Sequence, residues 1–496
     1  MAVFSFENAL DAFSLVIEAA IGAFMAYLQR FDGEGPRHSI FKPLFSCPET
    51  GALLDVFHDV EQMKEVNATA WKVILRSRGG SARVTDRSGV WAHREWVMPD
   101  LDEKDMISLG EGRGPLVELP RLQRQLKLKG LFVKQCGQGA TGSFKDLGMS
   151  VLVSCAKAMK NRDEDVRALI CASTGDTSAA LAAYGARAGI PVVVLLPAGK
   201  VSMAQLVQPI AHGAKVIAMD GDFDACMKVV QELAWAPGMF LGNSKNPLRL
   251  EGQKTVAFEI AQDLNWQLPE LVAVPSGNLG NIAALYKGFS LLVELGLTQS
   301  IPRLVACQVD AANPLFRSFE NGLKTLSPMT AQDTHASAIR IGNPVSWPRA
   351  QIALQESNGL VTSCSEQALL DIAARADREG LFVCPHTAAA LAGVEGLVAQ
   401  GVISENDTVV VVSTANGLKF ADQKARFHDD NPVFAGMDYK AELGHWQNPP
   451  EQADANTSAV RAVLDSWLKD AEARFAEADD EQMPSTVESQ DEGTSS

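Results

Sequence analysis

The chain is predicted to be an α/β protein of two lobes, each with a twisted, mostly parallel sheet flanked by helices. Three observations predict this. Between residues 130 and 415 short β-branched apolar runs alternate with longer segments of helical period. The runs are continuously apolar rather than alternating, as strands covered on both faces must be. Nine such runs are many for one open twisted sheet, so two sheets, and hence two lobes, are expected.

In chain order the predicted strands are GLFVKQC (130–136), RALICAS (167–173), PVVVLLP (191–197), AKVIAMD (214–220), MFLGNS (239–244), ELVAVPS (270–276), RLVACQV (303–309), GLFVCP (380–385) and TVVVVST (408–414). TSAALAAYGARAG (177–189), SMAQLVQPIAHG (202–213), FDACMKVVQELA (223–234) and NIAALYKGFSLLVELG (281–296) carry the helical period between them. Ligands of such folds lie at the carboxyl ends of the strands, often in the cleft between lobes.

The ends differ from this middle. The apolar stretch 9–29 holds Asp11 and Glu18 and has no basic residues before it. It is predicted to be an amphipathic helix packed on the core or a partner, not a signal peptide or membrane span. Residues 30–105 carry turn signals at FDGEGP and SRGGS but no legible topology. Residues 456–478 have the pattern of an amphipathic helix, and the polar stretch after them reads as a disordered acidic tail.

Composition excludes several classes of function. The 496 residues are 46% hydrophobic, enough for large cores. With a formal charge of −16 there is no global basic field, so neither nucleic acid nor an anionic membrane is an expected partner. Eight cysteines (Cys47, Cys136, Cys155, Cys171, Cys226, Cys307, Cys364, Cys384) are scattered without a CxxC pair. They read as reduced thiols of a soluble protein in a reducing intracellular compartment, and no metal is expected.

Five segments at predicted strand ends could carry chemistry. GATGSFKDLGMS (139–150) places Lys145 near a helix start, where a lysine is ordinarily solvated. The turn after 270–276, with Gly277, Asn278, Leu279, Gly280 and Asn281, is either an anion cup of backbone N–H groups or a tight strand-to-helix connection. It lacks both the Lys-Ser/Thr of a nucleotide P-loop and the glycine spacing of a dinucleotide fingerprint. Ser173, Thr174, Asp176 and Thr177 repeat the theme, although capping accounts for one or two of them. Asn243, Ser244 and Arg249 add a guanidinium suited to a second phosphate, and Thr414 leaves a neutral hydroxyl beyond the last strand.

Together these segments resemble the threonine synthases, plant-type branch, of the fold type II pyridoxal-phosphate enzymes. The resemblance rests on TGSFKDLGM, ASTGDTSAAL, LPAGKVSMAQLVQPIAHGAKV, NSKNPLRLEGQKT, GNLGNI, ASAIRIGNPVSW, CPHTAAAL and STANGLKF, which occur in the family's order over about residues 105–425. It implies pyridoxal 5'-phosphate as cofactor, held covalently by Lys145, which also serves as base. Gly277, Asn278, Leu279, Gly280 and Asn281 would cup its phosphate, Thr414 would face its pyridine nitrogen, and Asp176 would lie near its ring hydroxyl. Ser173, Thr174, Thr177, Asn243, Ser244 and Arg249 would bind the phosphate of O-phospho-L-homoserine, which the family converts with water to L-threonine and phosphate.

The resemblance also implies a homodimer, in the cytoplasm or the plastid stroma. The expected organisation is an N-terminal extension (1–105), a large cofactor-binding lobe (106–145 and 245–430), a small lobe (146–244), a C-terminal segment (431–476) and an acidic tail (477–496). Arg113 in GEGRGPLV, Ser276 and Asn416 depart from the family's pattern, and His386 in CPHTA reads equally as a buried core histidine. The competing readings are a dehydratase or β-replacement enzyme of the same fold, and an inactive homologue. Arg249 discriminates against the first, because a second anion site is needed only for a substrate with its own phosphate.

Overall fold

The computed structural model describes residues 24–173, 175–199, 203–429, 433–434, 437–438 and 446–480. The chain divides into two compact units, Met1–Lys424 with Phe434–Met437, and Ala425–Val433 with Asp438–Ser496.

The first unit begins with an antiparallel sheet of β1 (Ala26–Arg30), β2 (His38–Ser39) and β3 (Leu54–His58), in the order β2-β1-β3. Residues 26–29, predicted to end a helix, are therefore strand; residues 9–23 of that prediction lie outside the described residues. The reason is a local period of two: Ala26 and Leu28 are buried while Tyr27 and Gln29 are only partly so, in register with β3.

Six strands form the larger sheet: β4 (Leu116–Glu118), β5 (Gly130–Gln135), β10 (Leu271–Pro275), β11 (Arg303–Val309), β12 (Leu360–Cys364) and β13 (Thr408–Ser413). Their order is β12-β11-β10-β13-β5-β4, parallel except for the edge strand β4. A second, wholly parallel sheet holds β6 (Val166–Ala172), β7 (Val192–Pro197), β8 (Lys215–Met219) and β9 (Gly238–Leu241), in the order β8-β7-β6-β9. The expected class, α/β on two mostly parallel sheets, is what the chain adopts.

Three strand assignments change; one is β4, a three-residue edge strand with no long apolar run to mark it. GLFVCP is not a strand: Leu381, Val383 and Cys384 are buried, but the run spans a short gap between helices at Glu366–Arg378 and Pro385–Ala399 and makes one isolated bridge, Val383 to Asn416. Burial without an edge to pair with gives a buried loop. Conversely β12, LVTSC, is a strand although Thr362 and Ser363 interrupt its apolar run.

The helices that position the site are α1 (Lys145–Asn161), α2 (Asp176–Ala188), α3 (Leu248–Gln253), α4 (Gly280–Glu294) and α5 (Pro385–Ala399). Helix α1 packs against α2 and α3. Its crossing with α3 is close because Gly252 faces the Leu147 carbonyl, where a methyl group would lie 1.9 Å from the oxygen. A buried charge cluster then fixes α3: the Glu251 carboxylate lies 2.7 Å from His58 Nε2, 2.5 Å from Lys254 Nζ and 2.6 Å from Lys287 Nζ. Burial alone would raise its pKa, but Lys254, Lys287 and His58 hold it well below the ordinary carboxylate range. Thus β3, far upstream in sequence, anchors the helix that carries Arg249.

In the second unit α6 (Thr457–Asp480) starts at a cap where Asn456 Oδ1 accepts the Ala459 N–H at 2.9 Å. It runs to Asp480, into the stretch expected as tail; residues 481–496 lie outside the described residues.

The core of the first unit also sets an acid limit on stability. His93 is buried between Trp96 and Phe258, with Nδ1 2.7 Å from the Gly89 carbonyl, and burial lowers its pKa to about 4. Between that value and about 6.5 the unfolded chain binds the proton that the folded chain refuses, so stability falls on acidification through this window. Urea unfolding at pH 7 and pH 5 should show His93→Gln losing about 2 kcal/mol less than wild type between the two. Equal losses would refute the assignment.

Candidate active site

The carboxyl ends of both parallel sheets supply the site. At the end of β13, the Thr414 carbonyl accepts the Phe144 N–H at 2.8 Å and Ala415 bridges Ser143, which sets the start of α1 against the large sheet. Lys145 is the first residue of α1. Its Nζ lies 4.1 Å from the centre of the Phe144 ring and makes no hydrogen bond or ion pair among the described residues. Desolvation, then the nearby Arg249 cation, lower its pKa to about 7 against the opposing pull of Asp176. A lysine at a helix start is ordinarily solvated and charged; here a substantial fraction of the amine is neutral near pH 7.

Arg249 is 2% exposed. One nitrogen, Nη1, reaches the Gly242 carbonyl at 3.3 Å, whereas Nε and Nη2 have no partner among the described residues. Burial lowers its pKa to about 10. A guanidinium so buried needs an anion to offset its desolvation.

The turn after β10 leaves a helix start open. Leu279 takes the left-handed conformation (φ 65°) ahead of α4, whose N-terminus has no side-chain cap. Asn281 is buried with neither amide atom hydrogen-bonded, and Ser143 Oγ is likewise buried and unpartnered. Gly277 lies under the segment 336–347: a methyl group on it would be 2.8 Å from Ile339 Cα and 3.2 Å from the Ala338 carbonyl oxygen. Asn278 ties down the same segment through its carbonyl, which accepts the Ser346 N–H at 3.1 Å.

On the smaller sheet Ser173 Oγ accepts the N–H groups of Gly175 and Ser178, both at 3.2 Å. Asn243 spends its amide on the backbone of Ala172, accepting its N–H at 3.0 Å and donating to its carbonyl at 2.7 Å. It thereby joins the ends of β6 and β9. Ser244 and Thr177 are half-buried, and Thr174 lies outside the described residues. Asp176 opens α2, and its carboxylate is paired with Lys419 at 2.8 Å, a partner the sequence reading did not foresee.

The departures from the family pattern have local explanations. Arg113 (φ 53°) is spent on local contacts: its guanidinium donates to the Asp86 carbonyl at 2.7 Å, and its N–H reaches Glu259 at 2.7 Å. Ser276 returns its hydroxyl to the Val274 carbonyl at 3.0 Å. Asn416 caps the turn Gly417–Phe420, its Oδ1 accepting the Leu418 N–H at 2.9 Å. His386 is a satisfied buried histidine: Nε2 accepts the Ala338 N–H at 2.9 Å and the ring stands edge-on to Phe420. Beside it Cys384 is pushed up by burial but brought net down to about 7 by hydrogen bonds and charge from His386 and Thr387. Its sulfur lies 3.9 Å from the Thr414 hydroxyl.

A near-neutral amine among strand ends, with one open helix start and one unpaired buried guanidinium, suits an enzyme that holds an anionic carbonyl cofactor beside an anionic substrate. The family described as pyridoxal-phosphate dependent enzyme matches residues 107–415, and the chain belongs to it. Among its relatives, threonine synthase 2, chloroplastic, of Arabidopsis thaliana is 49% identical over 423 residues, 85% of this chain and 81% of that protein. The threonine synthase of Methanocaldococcus jannaschii is 39% identical over 404 residues, 81% of this chain and 95% of that protein. Within the family, the chain therefore stands among the threonine synthases. The crystal structure of threonine synthase from Escherichia coli has the same fold, with a TM-score of 0.58 at 22% identity over 89% of this chain and all of that one. No helix among the described residues is long and apolar enough to cross a membrane.

Proposed function

We propose that the chain converts O-phospho-L-homoserine and water to L-threonine and phosphate, with Lys145 as covalent anchor of pyridoxal 5'-phosphate and as base. The observation that carries this reading is the buried Arg249, unpartnered at two nitrogens, beside an amine brought to about 7. A dehydratase or β-replacement enzyme acting on an uncharged side chain would have no use for that second anion site.

The residues fit the cofactor. Gly277, Asn278, Leu279, Gly280 and Asn281 offer free N–H groups and an unpaired amide at the start of α4 for its phosphate. Thr414 would offer a neutral hydroxyl to the pyridine nitrogen, and Asp176 would face the ring hydroxyl. When bound, the cofactor supplies the electron sink for the pair left when Cα loses its proton. Lys145 Nζ removes that proton, a role its near-neutral amine suits. Arg249, with Ser173, Thr174, Thr177 and Ser244, holds the substrate phosphate and stabilises the charge that grows on it as the carbon–oxygen bond breaks. Asn243 contributes by fixing the two strand ends relative to each other.

In this reading the large lobe binds the cofactor and the small lobe, 146–244, closes over the substrate. The assembly proposed is a homodimer, in the cytoplasm or the plastid stroma. The purified protein should absorb in the visible, lose that band to borohydride, and release phosphate and threonine in equal amounts from O-phospho-L-homoserine. Phosphate without threonine would overturn the reading. Gly277→Ala should weaken retention of pyridoxal 5'-phosphate by at least about tenfold in a fluorescence titration, because the nearest atom its methyl meets, Ile339 Cα at 2.8 Å, is backbone. Unchanged affinity would remove this turn from the cofactor site.

A further inference from the structure

Lys419 joins three segments around the reactive amine. It sits on the turn Gly417–Phe420 after β13, and Asn416 builds that turn: its Oδ1 takes the Leu418 N–H, its N–H reaches the Gly142 carbonyl at 2.9 Å, and its carbonyl takes the Lys419 N–H at 3.1 Å. From there Lys419 Nζ pairs with Asp176 Oδ1 at 2.8 Å and donates to the Thr141 carbonyl at 2.9 Å. Asp176 opens α2 at the end of the smaller sheet, and Thr141 lies four residues before Lys145. One ammonium therefore holds together the last strand of the large sheet, the loop that delivers the amine, and the acid that faces it.

We propose that Lys419 is a positioning residue that locks the turn after β13 to the loop carrying the Lys145 amine and offsets the charge of the Asp176 carboxylate that bears on that amine. This rests on the reading of Lys145 as the reactive lysine. The charged groups that bear on Lys145 are Arg249, which disfavours its protonation, and Asp176, which favours it. Lys419 also bears on Asp146, whose carboxylate is tied to Thr141 and lies near Glu111. With Lys419 present, the charge of Asp176 is largely offset. Without it, the carboxylate acts on Lys145 alone and the amine holds its proton more tightly.

The test measures the amine directly. In the full-length protein freed of cofactor, competitive acetylation across pH 6–10, read by mass spectrometry, reports the midpoint at which Lys145 becomes reactive. Lys419→Met, which keeps the stem and removes the charge, should raise that midpoint by about one pH unit, a tenfold change in proton affinity. Lys419→Arg should restore it, Asp176→Asn should lower it below wild type, and adding Lys419→Met to Asp176→Asn should change nothing further. A midpoint unmoved or lowered in Lys419→Met, or raised equally in Lys419→Arg, would overturn the proposal. Failure of the cofactor reading shows separately, as acetylation of Lys145 that added pyridoxal 5'-phosphate does not block.

Discussion

Lys145→Ala will lower phosphate release from O-phospho-L-homoserine by at least about 10³-fold, because it removes both the nucleophile that holds the cofactor and the base at Cα. The visible band that borohydride abolishes will vanish with it. Folding will survive, since Lys145 makes no hydrogen bond or ion pair among the described residues. The variant will melt at or above the wild-type temperature at pH 7. The sign follows from linkage: the native amine has its pKa lowered to about 7, so between that value and about 10.5 the unfolded chain binds more protons, and the native protein carries the penalty of a desolvated amine. Turnover comparable to wild type would dismiss Lys145 as the centre of the site. A variant that cannot fold would instead show that the lysine is structural.

Arg249→Met should have the second largest effect. It removes a fixed cation from the place where phosphate charge develops, and kcat/KM should fall by about 10²–10³-fold while pyridoxal 5'-phosphate remains bound. Arg249→Lys should recover little, because a single ammonium cannot reproduce two parallel N–H bonds to a phosphate. Stability moves the other way. With Nε and Nη2 unpaired in the buried site, the guanidinium is a burden until an anion arrives, so Arg249→Met should melt higher than wild type in buffer without phosphate. Added inorganic phosphate should then raise the melting temperature of wild type and leave the variant unmoved. Equal responses of the two proteins to phosphate would place the substrate anion elsewhere.

Both effects concern residues legible in the sequence, but for unequal reasons. Arg249 stands out because an arginine beside Asn243 and Ser244 at a strand end has few structural uses. Lys145 does not stand out, since a lysine at a helix start is ordinarily solvated, and only the other segments in family order mark it. Asn243 has a role in the folded chain that its motif does not show: its amide ties to the backbone of Ala172 and orients the strand ends, with one N–H left to donate. Lys419 is not legible in this way, because nothing in STANGLKF shows that its ammonium reaches an acid more than two hundred residues upstream.

The sequence by itself determined the fold class and the position of most parallel strands. A strand buried on both faces must be apolar throughout, and that demand is local and written in consecutive residues. It determined too that strand ends at 141–145, 173–177, 243–249, 277–281 and 413–414 are polar or glycine-rich where the strands before them are not. Only the tertiary structure decided what lies beyond local pattern: that 26–29 extend into a strand paired with β3, that the buried run 380–385 finds no sheet edge, and that Glu251 is held by His58, Lys254 and Lys287. The state of the reactive amine is of this second kind. Lys145 has its pKa brought down to about 7 because desolvation and Arg249 outweigh Asp176, and those are properties of a surrounding assembled from distant segments.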